Sequence, residues 1–387
     1  MKNNQYQNFE LLCTFLATKG GSRSVSCTES EIRNINWERI FQLADECLVL
    51  PALYLGLRRK GYLKFLDIEA RDFLETIYEL NGKRNQKLKE EALSVIHILN
   101  SQGIQPVLLK GIAGLLTGLY EDDGERIIGD IDLLVDQSEL AKVVELLLNH
   151  GYRCGSVEVC EQVSEGAFFM HELMMVTESN FAIDLHVRPT GPSGKKAFIS
   201  AEEAREGAEI IEVEGARALL PSPFFRFMHN FYHAQHLDHS FYIYGRINLR
   251  QLIDWVKLWQ QHGSEFNYSE IDNKISLHRK TNSLSLYTLN AERCLNLLKP
   301  ENNKTGWIEK TLFHRQVLQM KYRWFYKLNR FLTMFIKAAQ LFSPERLCLE
   351  FGDMPMSKLV VLRITKLFDP EWYRYRARGF KSSWGPK

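Results

Sequence analysis

The amino-acid sequence predicts an α/β core set between two helical regions. Three observations carry that prediction. Apolar residues recur at helical spacing before about residue 102, short strands and helices succeed one another from Ile104, and long aromatic-rich helical segments return from Pro221. The expected divisions are an N-terminal helical region over 1–102, the core over 103–220, a C-terminal helical domain over 221–345 and a basic tail over 346–387.

In the first region Trp37, Ile40, Phe41, Leu43, Ala44 and Leu48 fall on one helical face, and a polar-rich helical stretch follows from Ala70 to Asn100. In the core, a strand over Pro106 to Leu109 leads to a helix from Ile112 to Tyr120, then a strand from Asp130 to Val135. A helix from Ser138 to His150 puts Leu140, Val143, Val144 and Leu147 on one face and stops at Gly151. Ala167 to Thr177 and Phe181 to Val187 read as a hairpin joined by Glu178, Ser179 and Asn180. The Gly- and Pro-rich loop from Arg188 to Lys196 carries Lys195 and Lys196, which can reach an anion.

Composition sets the wider bounds. The 387 residues are 45% hydrophobic and 25% charged, as in folded globular chains, and suffice for two or three compact units. A net charge of +2 argues against a general nucleic-acid coat while permitting a local basic patch. Seven cysteines at irregular spacing, with no CxxC, suit reduced structural thiols. The apolar stretch Leu11 to Ala17 is too short for a signal peptide with a cleavage site, and no run of about 18 apolar residues occurs, so a cytoplasmic protein is expected.

The chemistry concentrates in Asp130-Ile131-Asp132-Leu133-Leu134-Val135. Side chains alternate along a strand, so both carboxylates project from one face while Ile131, Leu133 and Val135 take the other. Two neighbouring acids at the end of a buried strand need a cation or another partner to compensate them, and magnesium, which prefers oxygen ligands and keeps sites for phosphates, is the natural one. Asp184, in Phe181-Ala182-Ile183-Asp184-Leu185-His186-Val187, shares a face with Ala182 and His186 and supplies a third carboxylate. Lys110 and Gly111 end a strand where a helix begins, a place where backbone amides and a lysine can meet phosphate. Arg126, four residues ahead of Asp130, can grip phosphate or hold the aspartates.

Taken in order, the Lys-Gly turn, Tyr120, Arg126, the Asp130–Asp132 pair and Asp184-Leu185-His186 resemble the nucleotidyltransferase superfamily that includes DNA polymerase beta. Within it the chain is similar to a poorly characterised bacterial family with a Lys-Gly motif, over roughly residues 35 to 260, and Phe225 to Trp255, with His229, His233 and Asp254, resembles that family's helical end. The resemblance implies a small mixed sheet, Mg²⁺ or Mn²⁺ on Asp130, Asp132 and Asp184, and a nucleoside triphosphate such as ATP near Lys110, Gly111 and Arg126. It implies no other stable cofactor. The acceptor implied is a peptide natural product, a saccharide, a protein or transfer RNA, with His186, His229 and His233 in its cleft. The wider superfamily has Gly-Ser or Gly-Gly at the phosphate turn, whereas Gly111 here precedes Ile112.

Three rival readings attach to other residues. His229, His233 and His236 recur at i, i+4, i+7 with His239 nearby, a possible zinc face, although Asn230 stands where a HExxH glutamate would be. A non-catalytic binding module could keep the same fold. The stretch Lys304 to Lys337 carries eight Lys or Arg and one acid, Glu309, among aromatic residues, as an RNA-binding or membrane-surface helix would.

Overall fold

The structure is a computed structural model that describes residues 5–17, 27–156, 160, 161, 163, 172–190, 197–237, 241–297, 306–344, 347 and 354–367. Four helices, Gln5–Leu16, Glu29–Arg33, Trp37–Glu46 and Leu50–Lys60, precede a helix of 33 residues, Ile68–Asn100. At 1.5 Å per residue this long helix spans about 50 Å. Asp67 caps it by accepting a bond from the Ala70 amide at 2.7 Å.

The core is a mixed sheet of seven strands: β1 (Val107–Leu108), β2 (Asp130–Leu134), β3 (Arg153–Cys154), β4 (Glu172–Val176), β5 (Ala182–His186), β6 (Glu209–Val213) and β7 (Ala216–Leu220), in the order β3-β4-β5-β2-β1-β7-β6. β2 runs parallel to β5 and antiparallel to β1, while β1 runs parallel to β7. The expected hairpin is present over Glu172–Val176 and Ala182–His186 as the antiparallel pair β4 and β5, the first part of its expected first strand, 167–171, lying outside the described residues. The helix after β2 covers Leu140–Asn149 and buries the four residues read from its period, and Gly151 ends it at φ +87.

Two features differ from expectation. The hairpin β6–β7 had no element assigned to it, because its two-residue turn uses Glu214 and Gly215, both at positive φ, where the usual Asn-Gly signal is missing. Cys154 and Cys160, expected as free thiols, are joined in a disulfide. Their Cα atoms stand 6.4 Å apart, a proximity that irregular spacing in the sequence does not reveal.

The helical regions close on the sheet and on each other. Ile68–Asn100 packs against β2, β7 and the helices Lys110–Leu116 and Leu140–Asn149, and Gln5–Leu16 packs against Thr281–Leu295 and Trp307–Lys321. One cluster of buried apolar side chains runs from Phe9 to Met320. In the C-terminal part, Pro223–Tyr232 continues as a π-helix over His233–Leu237, followed by Phe241–Tyr244 and Leu249–His262. Phe227 stacks on Trp255 with ring centroids 4.4 Å apart. Among the described residues no helix is long and apolar enough to cross a membrane.

Candidate active site

The parallel pairing of β2 with β5 is in register, so Asp130 faces Ala182, Asp132 faces Asp184 and Leu134 faces His186. Ile131, Leu133, Ile183 and Leu185 are buried on one face of the two strands, as strand alternation requires. The other face carries the acids: Asp132 and His186 are each only 1% exposed, while Asp130 and Asp184 are half-buried. A carboxylate taken out of water needs partners. The Lys110 ammonium donates to Asp132 Oδ1 at 2.6 Å and His186 Nε2 donates to the same oxygen at 2.9 Å. His186 Nδ1 lies 3.5 Å from Glu172 Oε2 on the neighbouring strand β4.

These surroundings treat the acids unequally. Burial works against ionisation of Asp132, but the charge of Lys110 and the His186 bond outweigh it and hold the carboxyl well below its usual range. Among the described residues none bonds Asp184 in this way: burial, then the charges of Asp132, Asp130 and Glu172, push its pKa up to about 7 against the field of Lys110. Burial and Asp132 also raise Asp130, against the fields of Lys110 and Arg250. Asp132 in turn raises the Lys110 ammonium further, despite the burial that opposes its charge.

Asp132, Asp184 and His186 can each offer one ligand atom, and those atoms lie within 4.8 Å of one another. Two carboxylate oxygens and one imidazole suit a divalent cation such as Mg²⁺ or Mn²⁺, the nitrogen favouring manganese over magnesium. The surplus of negative charge around Asp184 is what such an ion would relieve. The donor set fits the group.

The loop that delivers β2 is tied down by side chains that the sequence analysis did not single out. Asn81 donates to the carbonyls of Gly124 and Arg126 at 2.9 and 3.1 Å, and Asn85 donates to those of Asp123 and Arg126 at 2.7 and 2.6 Å. Arg84 donates to the Ile128 carbonyl and to the Gly129 carbonyl immediately ahead of Asp130. The available signal was three polar residues at i, i+3, i+4 on one face of a long helix.

The remaining predicted residues are placed as follows. Lys110 adopts the left-handed region at φ +48, a conformation costing about 1 kcal/mol in a non-glycine residue and held here by its ion pair with Asp132. A Cβ on Gly111 would approach Ile128 Cγ2 to 3.1 Å, so this glycine seats the helix against the loop before β2. Arg126 is buried and its guanidinium grips Asp254, with Nη2 to Oδ2 at 2.7 Å and Nε to both oxygens at 2.9 and 3.0 Å. Its bonds go to Asp254 on the helix Leu249–His262 and to the Ile127 carbonyl, and not to Asp130 or Asp132.

His229 is buried, donates to the Pro189 carbonyl at 3.1 Å, and is kept neutral by burial and by nearby Lys110, its pKa lowered to about 3. Burial and Lys110 likewise lower His233. Both line a cavity of about 30 Å³ with Lys110, Tyr120, Arg226 and Asp254, which has room for one or two waters. His236 turns away to bond Ser283 Oγ at 2.9 Å, because the π-helix beginning at His233 breaks the i, i+4, i+7 face. The three histidines therefore do not converge on a zinc site; among the described residues Asp132, Asp184 and His186 are the metal-competent group. Lys195, Lys196 and His239 lie outside the described residues.

The family described as an uncharacterised nucleotidyltransferase matches residues 33–296, more than half of the chain. No curated protein matches the sequence.

Proposed function

The chain belongs to the uncharacterised nucleotidyltransferase family, and from that premise we propose that it moves a nucleoside monophosphate from a nucleoside triphosphate to an acceptor hydroxyl. The observation that carries this reading is the in-register meeting of Asp132 and Asp184 beside His186 on one strand face. The acceptor hydroxyl gives up its proton to solvent, its oxygen forms a bond to the α-phosphorus, the bond from that phosphorus to the α,β-bridging oxygen breaks, and pyrophosphate leaves with that electron pair. A divalent cation, when bound, would supply charge neutralisation of the phosphates and acidification of the acceptor hydroxyl.

The residues that would hold it are Asp132 and Asp184, with Asp130 and His186 beside them. Lys110 keeps Asp132 ionised before any ligand arrives, so that its charge is in place where the transferring group would sit. Lys110 and Gly111 lie at the donor's side of this arrangement in the proposal. Arg126 acts there through the fold, by anchoring the loop that positions Asp130.

Incubation of the purified protein with each α-labelled nucleoside triphosphate, Mg²⁺ or Mn²⁺ and a cell lysate tests the reading. Label transfer is expected, with a loss of about a thousandfold or more in Asp130→Ala plus Asp132→Ala. The size of the labelled product sorts protein, RNA and small-molecule acceptors. Nucleotide binding without transfer, with every donor and both metals, supports instead a non-catalytic module.

A further inference from the structure

The helix Arg323–Gln340 is built inside out. Trp324, Leu328, Phe331, Leu332, Phe335 and Ile336 recur at i, i+4, i+7, i+8, i+11 and i+12, one continuous stripe about 18 Å long. In a helix packed on a globular core this stripe faces inward. Here all six are exposed, Trp324 by 64%, Phe335 by 57% and Phe331 by 55%, while the buried residues are the polar Asn329 and Thr333. Asn329 fixes that orientation: it donates to the Tyr244 carbonyl at 3.0 Å and to Gln319 Oε1 at 2.8 Å, and accepts from Arg315 Nε at 2.7 Å. The helix thus docks through polar bonds and turns its apolar side to the outside, and an exposed stripe of this kind marks a contact surface.

Charge selects the occupant. The helix exposes Arg323, Lys327 and Arg330 and has no acid, its fourth cation Lys337 lying half-buried over the Tyr244 ring at 5.4 Å, and the preceding helix Trp307–Lys321 adds Lys310, Arg315 and Lys321 against one buried acid, Glu309. A second copy of the chain would set the same cations against each other. A nucleic acid would satisfy the cations but offer nothing to Leu328, Leu332 and Ile336, which have no ring to stack on bases. A surface that is apolar within and anionic at its boundary satisfies both.

We infer that Arg323–Gln340 lies in the plane of an anionic lipid surface, its Trp324–Ile336 stripe among the acyl chains and its exposed cations Arg323, Lys327 and Arg330 at the headgroups. Four cations in 18 residues exclude a spanning orientation. The inference stands independently of the transfer reaction.

The test is flotation of the full-length protein with vesicles of phosphatidylcholine alone or of phosphatidylcholine mixed with phosphatidylglycerol. Wild-type protein is expected to float with the anionic vesicles and to be released by added salt. Phe331→Ser plus Phe335→Ser plus Ile336→Ser, and separately Arg323→Gln plus Lys327→Gln, should each weaken partitioning roughly tenfold or more with an unchanged melting temperature, since all five positions are exposed. Brominated acyl chains should quench tryptophan emission in the wild type and less so in Trp324→Phe. Wild-type protein that stays at the bottom of the gradient, or partitioning that neither variant reduces, overturns the inference. So does a concentration-dependent dimer, or an RNA complex, that the triple serine variant abolishes.

Discussion

The loop 121–129 and the strand pair β2–β5 adjoin each other and both bury charge, yet they balance it in opposite ways. In the loop each buried charge meets its counterpart from a surrounding helix: Glu125 meets Lys257 at 2.9 Å and Arg59 at 3.4 Å, and Arg126 meets Asp254. Asp122 takes a hydrogen bond from the Tyr78 hydroxyl and lies 3.6 Å from Arg58. On the strands, Asp130, Asp132, Asp184 and Glu172 share Lys110 and His186, with Arg250 acting on Asp130 from a distance. Balanced buried charge positions the chain, whereas a surplus of one sign, maintained at a cost in stability, marks where a ligand of the other sign belongs.

The contrast predicts that removing an acid has opposite consequences in the two places. Asp254→Asn leaves the Arg126 guanidinium buried without its counter-charge, and breaking such a pair costs about 3 to 5 kcal/mol. Urea denaturation should show that loss, together with proteolytic opening of the 121–129 loop. A change below about 1 kcal/mol would mean that the loop is held by its carbonyl bonds alone.

Part of this was legible in the sequence and part was not, for a physical reason that separates the two. Alternation is local, so Asp130, Asp132 and Asp184 could be assigned to strand faces, and the 3.6-residue period with Gly151 marked the helix Leu140–Asn149. Pairing is not local. His186 meets Asp132 across 54 residues and Arg126 meets Asp254 across 128, so neither the metal-competent trio nor the arginine's commitment could be read from spacing. The strand order is equally out of reach of spacing, since β1 and β7 are joined by a single parallel pairing of Val107 with Leu219. The polar face Asn81, Arg84, Asn85 was visible, but a helix surface with such residues looks solvated until its partner loop is known.

On the strand side, Asp184→Asn should stabilise the metal-free protein. The native pKa of Asp184 is raised from 3.8 to about 7, so the native state binds this proton more tightly than the unfolded chain does. Its contribution is present in full below pH 3.8 and is lost as pH rises toward 7. Above that, ionised Asp184 opposes folding, by about 2 kcal/mol once partial exposure is allowed for. In EDTA, thermal melts of the wild type should therefore fall relative to the Asn variant between pH 4 and 8. Saturating Mn²⁺ should stabilise the wild type and not the variant. Parallel pH profiles for the two proteins would remove the electrostatic surplus from the account of this site.

The smallest effect sharpens the link between the two regions. Arg84 spans them, donating to the Ile128 and Gly129 carbonyls at the junction of loop and β2 and lying over the Phe181 ring at 5.6 Å, just ahead of β5. It is partly exposed, so Arg84→Gln should cost less than about 1 kcal/mol of stability, water replacing part of the lost bonding. Its consequence for transfer should be larger than that suggests. A junction free to shift by a fraction of an ångström moves the Asp130 and Asp132 carboxylates relative to Asp184, and misplacement acts on the transition state more than on the bound substrate. The expected result is a fall in kcat of about tenfold with KM nearly unchanged. A rise in KM at constant kcat would instead assign Arg84 to uniform substrate binding, and the loop would then be a staple for the fold with no part in aligning the strand carboxylates.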